Sequence, residues 1–546
     1  MVRSTEPHRA SSRLAGAATC AVLAFVAFCA LGSVSGCFDP GAGQEPPDKG
    51  LYFPVGLAIS QSGKTLFVVN SNFDLRFNAG TLQALDVAQI WSDARLCAPK
   101  LNRLSFDAAK GAKVPVEPDR TCSLGTDVTR FIKTSVRIGA FGADIASTPH
   151  YGPTGDPEPA GSPRGRLLIP VRGDATMTIV DYEETIGGDG SVSARKLICG
   201  RNPQANSFGS ACAGEWKVGA DASQNSRALA LEGEPFSVAV PTYWPDTPLA
   251  PGPTSGDALG FETPRNVGGI AAIVHQQTGD VSVFVRTAAF ENQTIPQAKL
   301  AFTIGGLPAG GTFITPLDII EHPFTPRFLV TTRTQANVFV VSFFADKGSP
   351  DRSGLAISEA ILLSTQNPGF DSRGVVVDPP EDGEKRPIRV FLTNRTPASL
   401  VIGEVDPVDH HLRFKDNEPL PIGPSRIVRA RVDVELPDGT FVKRTRIFAA
   451  SFDGRFVTSY DPDLRRTTDI VRTGKGPYTM VVSPASGTRG TKEYRPALGF
   501  ITNFTDSTIQ VLDLDPRAGL LDDELDAAGR PELKAPPGTI GPLYGQ

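Results

Sequence analysis

Two apolar segments separated by a polar turn make up residues 56–70, GLAISQSGKTLFVVN. Both segments have the apolar pattern of strands, and the second, at 66–69, combines β-branched and aromatic residues, which favour strands. The Ser-Gly-Lys sequence at 62–64 is typical of a tight turn. Residues 56–70 therefore predict a β-hairpin.

The same unit recurs seven times along the chain. Each copy begins with a short apolar strand after Gly or Pro, and these first strands are predicted at 54–59, 141–146, 235–240, 316–320, 374–377, 424–428 and 477–482. A second strand, a polar turn and a third strand follow in every copy. Weaker fourth strands are predicted at 135–139, 300–305 and 469–474. Four antiparallel strands repeated seven times predict an all-β fold, a seven-bladed β-propeller.

The repeats resemble those of the YVTN and lactonase-like seven-bladed propellers of bacteria. In that class an opening strand leads through a Ser-Gly-Lys type turn into a hydrophobic strand that ends in Asn. Residues 56–70 match best, whereas Lys64 has no equivalent in most copies and the final Asn recurs only at Asn394 and Asn503. The resemblance covers most of residues 51–545. It implies the propeller fold and, by analogy of fold alone, a lactonase-like hydrolase or another enzyme with its site at the channel mouth.

A basic, then apolar, then small-residue segment precedes the repeats. An uncharged run at 14–31 follows three arginines and leads to Val34-Ser35-Gly36-Cys37, the order of a secretory signal. The last four residues resemble the lipobox of bacterial lipoproteins, whose matching cysteine is acylated after cleavage on its N-terminal side. The alternative is a transmembrane anchor, because the uncharged run approaches the spanning length.

The lipobox resemblance divides the chain into a signal peptide at 1–36, a lipidated Cys37 with a flexible tether at 37–50, and a propeller at 51–546. Several buried acyl chains anchor a protein firmly. We therefore expect a lipoprotein of the cell envelope, attached to the outer membrane and either periplasmic or surface-exposed.

The charge balance excludes one class of partner. The chain has 54 basic and 59 acidic residues, and the first 36 residues hold three of the former and one of the latter. The remaining 51 basic and 58 acidic residues give a net charge of about −7 by formal count. A mildly acidic body lacks the basic surface that nucleic-acid binding needs, so no nucleic acid is expected as a partner.

The cysteines support export. Of seven cysteines, two lie in the signal peptide and Cys37 is the predicted lipid site. The other four form two local pairs, which predict the disulfides Cys97–Cys122 and Cys199–Cys212 in an oxidising compartment. A zinc site is the alternative, but neither pair has C-x-x-C spacing and no His is close in sequence.

Four long insertions interrupt the repeats, at 88–133, 148–165, 183–225 and 241–266. The first and third are predicted between third and fourth strands, and the other two between first and second strands. In an up-and-down blade these connections share one face, so all four insertions are predicted on the same face. The opposite face carries the short turns.

Candidate ligand-binding side chains are predicted on the short-turn face, at second-strand ends and blade connections. They are Arg172, His275, Arg333, Arg373, Arg395, Arg426 and Tyr478. Guanidinium groups match carboxylate and phosphate bidentately, so this rim would bind such a group or an acidic partner. The alternative is that these arginines are solvated or pair with Asp between blades.

Two aspartates are weak metal candidates. Asp144 and Asp318 are predicted at one shared position of the inner strands, where carboxylates near a channel could hold a hard cation. The alternatives are bonds to backbone amides or a register that is off by one.

Familiar catalytic signatures do not occur in the sequence. It contains no G-x-S-x-G elbow, no H-E-x-x-H pair and no dinucleotide glycine fingerprint, so no cofactor is predicted. We therefore favour a non-enzymatic binding scaffold for a protein, peptide or glycan. The lactonase-like hydrolase and a purely structural envelope component are the alternatives.

Overall fold

The structure is a computed structural model that describes most of the chain from residue 43 onward. The described residues are 43–93, 104–107, 112–115, 128–149, 161–200, 208–219, 233–241, 267–287, 298–317, 327–344, 354–362, 369–381, 384–436, 440–487, 495–514 and 539–544. The predicted signal peptide, Cys37, Cys97, Cys122 and Asp318 lie outside them. In the described part, no helix is long and apolar enough to span a membrane.

Seven antiparallel sheets follow one another along the described chain. The first sheet and its insertion contain β1 (Pro54–Ile59), β2 (Thr65–Asn70), β3 (Gly80–Asp86), the hairpin strands β4 (Leu104–Asp107) and β5 (Ala112–Pro115), and β6 (Ile132–Ile138). The second sheet contains β7 (Ala146–Pro149), β8 (Arg164–Val171), β9 (Thr176–Ile186) and β10 (Val192–Ile198), and the short strands β11 (Ser210–Ala211) and β12 (Lys217–Val218) follow it. Helical segments are short: an α-helix at 87–93 and 3-10 turns at Val128–Arg130 and Gly214–Trp216.

The other five sheets have four strands each. The third has β13 (Pro235–Ala239), β14 (Val267–His275), β15 (Val281–Thr287) and β16 (Ala298–Ile304), and the fourth has β17 (Gly311–Leu317), β18 (Arg327–Thr332), β19 (Asn337–Phe344) and β20 (Gly354–Leu362). The fifth has β21 (Phe370–Asp378), β22 (Ile388–Thr396), β23 (Ala398–Val405) and β24 (Leu412–Pro419). The sixth has β25 (Pro424–Glu435), β26 (Phe441–Ser451), β27 (Phe456–Asp461) and β28 (Arg466–Arg472). The seventh has β29 (Pro477–Ser483), β30 (Leu498–Asn503), β31 (Thr508–Asp513) and β32 (Thr539–Tyr544).

The sheets form a closed ring. Strands pair in chain order within each sheet, and first strands of successive sheets contact each other along β13, β17, β21, β25 and β29. The first strand of the first sheet, β1, contacts β29 of the seventh. This arrangement confirms the seven-bladed propeller, with the first strands around a central channel.

The ring is closed by side-chain packing between the first and seventh sheets. The fourth strand of the seventh sheet comes from the C-terminal segment, because β32 pairs with β31. Leu57, Leu66 and Val68 of the first sheet share one buried cluster with Phe500 and Ile509 of the seventh. Burial of this apolar surface holds the two ends of the chain together.

The second strands are buried along most of their length, whereas the fourth strands β10 and β24 are largely exposed. Every residue of β2 and of β30 is buried, but β24 (LRFKDNEP) buries only Leu412. Outer strands cover only one side and face water, so they keep a polar sequence. This is why alternation reveals the inner strands more clearly than the outer ones.

The predicted insertion at 183–225 is wrong in its placement. The third strand of the second sheet, β9, continues to Ile186, and β10 is its fourth strand. An excursion at 199–216 then leaves the sheet, and β12 resumes pairing with β9 at Lys217 opposite Thr178. On this excursion, β11 pairs in parallel with β6 of the first sheet. The segment therefore joins two blades at the outer edge, while the insertions at 88–133, 148–165 and 241–266 leave from the predicted face.

Two predicted first strands are also displaced. The segment at 141–146 has only an isolated bridge from Gly142 to Val171, and the regular strand is β7. The strand predicted at 316–320 lies earlier, as β17. In these two copies Gly142 and Gly311 occupy the position that Pro occupies in most of the other copies. The starts of the two strands were therefore predicted from the wrong Gly or Pro residue.

The disulfide Cys199–Cys212 is present and connects the two ends of the excursion. By the loop-entropy relation, a crosslink that closes a loop of this size contributes about 3 kcal/mol. We expect Cys199→Ser/Cys212→Ser to lower the free energy of unfolding by that amount, measured by chemical denaturation. Equal stability of the variant and the wild-type protein would contradict this expectation.

Candidate functional site

A left-handed backbone residue begins every blade. In each blade it directly precedes the first-strand residue that pairs with the end of the second strand. Its φ lies between 45° and 91°. The seven residues are Phe53, Phe141, Glu234, Gly310, Asp371, Gly423 and Gly476. Residues other than Gly adopt this backbone conformation at a cost of about 1–3 kcal/mol. Such positions cluster at functional sites. The four that are not Gly all contribute to the end of the channel described next.

A register shift follows this residue in the first strands, for example between Pro54 and Gly56 and between Ser372 and Gly374. A bulge of this kind redirects side chains locally. The bulged positions Val55, Phe236 and Arg373 therefore point to the channel end. We call this end, where first strands begin and second-to-third-strand turns lie, the mouth.

A cavity of about 240 Å³ opens at the mouth. Its lining combines four arginines with aromatic and small residues from most of the blades. The lining residues are Val55, Ser71, Phe73, Gly142, Ala143, Arg172, Phe236, Arg373, Arg395, Pro424, Ser425, Arg426, Phe452, Tyr478 and Phe504. We call this space the mouth cavity.

Three arginines share one carboxylate on the rim of the mouth cavity. The Asp371 carboxylate lies 2.6 Å from Nε of Arg373, 3.8 Å from Nε of Arg333 and 4.0 Å from Nε of Arg395. Arg395 also pairs with Asp453. Burial lowers the pKa of the Arg373 guanidinium, Asp371 opposes this, and repulsion from Arg333 and Arg395 adds to the lowering. With three arginines and two acids, Asp371 and Asp453, the cluster thus carries excess positive charge.

Arg426 crosses the channel from the sixth sheet. Its Nη1 lies 3.3 Å from the Asp144 carboxylate of the second blade and donates to Ser237 Oγ of the third at 3.3 Å. Its guanidinium lies over the rings of Phe313, Tyr478 and Phe236, with centroids at 4.4, 5.6 and 5.7 Å. This side chain therefore forms the floor of the mouth cavity.

Arg426 retains an unused donor although it is buried. Only 5% of the residue is exposed, and Nη2 has no hydrogen-bond partner among the described residues. Burial lowers the pKa of this guanidinium, but Asp144 and Tyr478 reverse the effect and raise it above its usual value. A permanently charged, half-satisfied guanidinium therefore lines the cavity.

Aromatic rings form the other wall. The ring of Phe504 lies 5.1 Å from Phe53, 5.3 Å from Phe73 and 6.2 Å from Phe452, measured between centroids. Phe73 also packs edge-on against Phe141. Aromatic pairs at these separations hold each other in place, so this wall is apolar and well defined.

Arg172 completes the basic wall on the side of the third blade. Its Nη2 pairs with Glu234 at 3.0 Å, its guanidinium lies 5.6 Å from the Phe236 ring, and Nε has no partner within the described residues. The acids that balance these arginines, Asp144, Glu234 and Asp371, lie outside the cavity lining. The cavity itself therefore presents guanidinium donors.

The structure brings together five of the seven predicted rim residues: Arg172, Arg373, Arg395, Arg426 and Tyr478 line one cavity. Arg333 shares Asp371 with them but is not among the lining residues and is half-exposed. His275 is fully buried, where Nε2 contacts Ser282 Oγ at 2.9 Å and Nδ1 faces the Gly233 carbonyl at 3.3 Å. His275 is the last residue of the second strand of its blade and lies in the core. The prediction that it belongs to the rim is therefore wrong.

Asp144 is an ion-pair partner. Its carboxylate accepts from Ser237 Oγ at 2.7 Å and lies beside Arg426, whose charge occupies the place a cation would take. Its equivalents in other blades are Gly56, Ser237, Phe313, Gly374 and Arg426, so the register that placed Asp318 with it was wrong. Among the described residues, no group of three or more His, Cys, Asp and Glu could hold a metal ion.

Sequence analysis missed Glu234, Asp371 and the aromatic wall. Some of these residues can be recognised in the sequence, because Phe53, Phe141, Glu234 and Asp371 stand where other repeats have Gly before the first strand. Phe73, Phe452 and Phe504 follow second-strand ends, as the predicted arginines do. A bulky residue in a Gly position of a repeat is the feature to look for.

A second cavity, of about 280 Å³, lies between the fifth and sixth blades at the opposite end. Its cations have acidic partners at hand: Lys415 pairs with Glu404 at 2.6 Å, and Arg386 pairs with Asp378 at 3.2 Å. We therefore assign it to the packing of neighbouring blades.

No protein-family model and no curated protein matches this sequence. Similar solved structures include a Bacteroides fragilis protein assigned as a 6-phosphogluconolactonase, at 13% identity over 78% of this chain and 85% of that chain, with a TM-score of 0.38. Kuenenia stuttgartiensis hydrazine synthase is 13% identical over 85% of this chain and 97% of its own, with a TM-score of 0.39. Sqt1 of Saccharomyces cerevisiae is 7% identical over 84% and 83%, again with a TM-score of 0.39. These similarities concern the fold alone.

Proposed function

We propose that this protein is an exported, lipid-anchored binding protein of the bacterial cell envelope, and that its mouth cavity binds a carboxylate attached to an apolar group. The convergence of Arg172, Arg373, Arg395 and Arg426 on one cavity carries the proposal. The lipobox resemblance at Cys37 supports the anchor. The disulfide Cys199–Cys212 supports an oxidising compartment.

The electrostatics favour an anion. Three guanidinium groups surround Asp371, and Arg426, whose buried Nη2 has no hydrogen-bond partner among the described residues, also lines the cavity. A carboxylate would accept from two such groups in the fork geometry that guanidinium provides. It would also relieve the repulsion that lowers the pKa of Arg373.

The opposite wall selects what the carboxylate is attached to. Phe73, Phe452 and Phe504 face the cavity and offer contact to an aromatic or branched aliphatic group. A cavity of about 240 Å³ accommodates such a group but only one end of a larger partner. The C-terminal residue of a peptide and a free aromatic acid both have this chemistry.

A hydrolytic function has less support from the same residues. The lining hydroxyls belong to Ser71, Ser425 and Tyr478, and no His, Asp or Glu is among the described lining residues to act as their base. Ser425 Oγ is bonded to the carbonyl oxygens of Ala450 and Pro477. We therefore favour ligand binding over hydrolysis as the function of the mouth cavity.

We expect 3-phenylpropionate to bind the mature protein and its amide, 3-phenylpropionamide, to bind at least tenfold more weakly. The amide has the same shape but lacks the charge, and a charge-assisted hydrogen bond is worth about 1.5–3 kcal/mol. Isothermal titration calorimetry measures both affinities. Equal binding of acid and amide would refute the anion site.

Two matched variants locate the site. Arg395→Gln should abolish binding of the acid because Arg395 lines the cavity, whereas Arg333→Gln should retain it because Arg333 contacts the same Asp371 from outside. Both substitutions remove one charge from the same cluster. Equal losses in the two variants would show that the long-range charge and not the cavity attracts the acid.

A further inference from the structure

The described chain begins on the mouth side of the first blade. The Gly43 carbonyl accepts a hydrogen bond from Nδ2 of Asn78 at 3.1 Å, and the Gln44 carbonyl accepts from the Asn78 backbone N–H at 2.9 Å. Asn78 belongs to the turn at 71–79 that joins β2 to β3 and carries Phe73 of the mouth cavity. The N-terminal segment is therefore fixed at this end of the channel.

The turn that holds the segment is itself rigidly built. The side chain of Asn72 donates to the Phe77 carbonyl at 2.6 Å and accepts from the Phe77 N–H at 3.0 Å, which closes the turn on itself. The Phe77 ring packs edge-on against Tyr52 at 5.0 Å. The attachment point of the tether therefore has a defined place on the propeller.

The tether between this point and the membrane is short. Five residues, 38–42, separate Cys37 from Gly43. At no more than about 3.6 Å for each of the six steps from 37 to 43, the acylated cysteine lies within about 22 Å of Gly43. The seven-residue strand β3 of the same blade spans about 23 Å before the turns at its two ends are added. The tether is thus too short to reach past the opposite end of the ring.

We infer that the mouth of the propeller lies against the surface of the membrane that holds its acyl anchor, with the opposite end of the ring pointing away. This inference rests on the lipidation of Cys37 in the proposed function. The surface that contacts the membrane is the mouth rim, and the partner of this surface is the bilayer interface.

The side chains of the mouth rim suit that partner. Phe73, Phe370 and Ile422 are all more than half exposed on this end of the ring. Aromatic residues are favoured at the water–bilayer interface, and isolated apolar side chains gain by partial burial there. Arg333 and Arg395 beside them are placed to meet anionic headgroups.

The orientation also restricts the ligand of the mouth cavity. A bulky soluble protein cannot approach a cavity that faces the bilayer, whereas a small acid or the exposed end of a membrane-borne molecule can.

The inference is tested with tryptophan placed on the two ends of the lipidated protein. Phe73→Trp and Phe370→Trp probe the mouth, and Leu464→Trp is the matched control, since Leu464 is 40% exposed in a turn at the opposite end. Each variant is reconstituted in liposomes with ordinary or brominated acyl chains, and the emission of the native protein is subtracted. We expect most of the emission at 73 and 370 to be lost in brominated liposomes and the emission at 464 to be retained.

Quenching at 464 equal to or above that at 73 would overturn the orientation, and so would quenching at no position. The mass of the N-terminal peptide is measured on the same samples. An unacylated Cys37 would refute the anchor itself, whereas an acylated Cys37 with no quenching at the mouth would refute only the orientation. Binding of 3-phenylpropionate to the unacylated Cys37→Ala variant in detergent solution tests the cavity independently of both.

Discussion

Arg426→Met is expected to lower the free energy of unfolding by about 3–5 kcal/mol, because it leaves the Asp144 carboxylate, whose side chain is only 15% exposed, without its cation. Asp144 retains one donor hydroxyl, Ser237 Oγ at 2.7 Å, and the long Val238 N–H contact at 3.4 Å. The rings of Phe236, Phe313 and Tyr478 lose their cation as well. Chemical denaturation at neutral pH measures the loss.

The control lies on the same strand. Arg431 of β25 pairs with Glu381 at 2.6 Å at an exposed site, so Arg431→Met should cost less than about 1 kcal/mol. The double variant Arg426→Met/Asp144→Leu should cost less than the sum of its two single variants, since the residues interact directly. Strict additivity would mean that the trans-channel pair contributes nothing.

Asp378→Asn is expected to cost a similar amount, about 3–5 kcal/mol, at the other end of the ring. The Asp378 side chain is completely buried and lies 2.6 Å from Arg389 Nη2, 2.6 Å from Arg429 Nε and 3.2 Å from Arg386 Nη2. Arg429 belongs to the sixth blade and the other residues to the fifth. Loss of the charge leaves three cations facing one another between two blades.

Asp463→Asn is the matched control, because Asp463 pairs with the same Arg389 at 2.8 Å but is half-exposed. It should cost less than about 1 kcal/mol. Asp378→Asn should leave binding of 3-phenylpropionate unchanged, since Asp378 ends a first strand away from the mouth. A large loss of binding in that variant would mean that the mouth cavity depends on the stability of the whole ring.

The ring could be predicted from sequence because its inner strands carry unambiguous apolar patterns. The second strand Thr65–Asn70 is wholly buried and has four apolar residues in a row, and β30 (Leu498–Asn503) is wholly buried as well. The outer strand β10 (VSARKLI) buries only Leu197, and its charged residues suggested an insertion. A strand that faces water on one side and pairs on the other carries little apolar signal.

The arginines of the mouth could be predicted from their position in the repeat, but their convergence could not. Whether Arg373 points into the cavity depends on the register shift at the start of its first strand. His275 shows the same limit. A difference of one position along the strand decides whether its side chain lies at the rim or makes a buried contact with Ser282. Alternation fixes which residues belong to a strand, whereas a bulge decides where its end residues point.

The left-handed residues connect the fold to the site. Glycine serves this position in three blades, and the other four use Phe53, Phe141, Glu234 and Asp371 in spite of the backbone cost. Two of these side chains build the aromatic wall and two hold the arginines. The mouth thus departs from the repeat at the positions that shape the cavity.

A crystal structure of the mature protein soaked with 3-phenylpropionate tests the central claim most directly. We predict the carboxylate within hydrogen-bond distance of Arg426 Nη2 and of Arg373 or Arg395, with the phenyl ring against Phe504. An empty mouth cavity with the acid bound elsewhere, or arginine side chains that splay into solvent, would contradict the account.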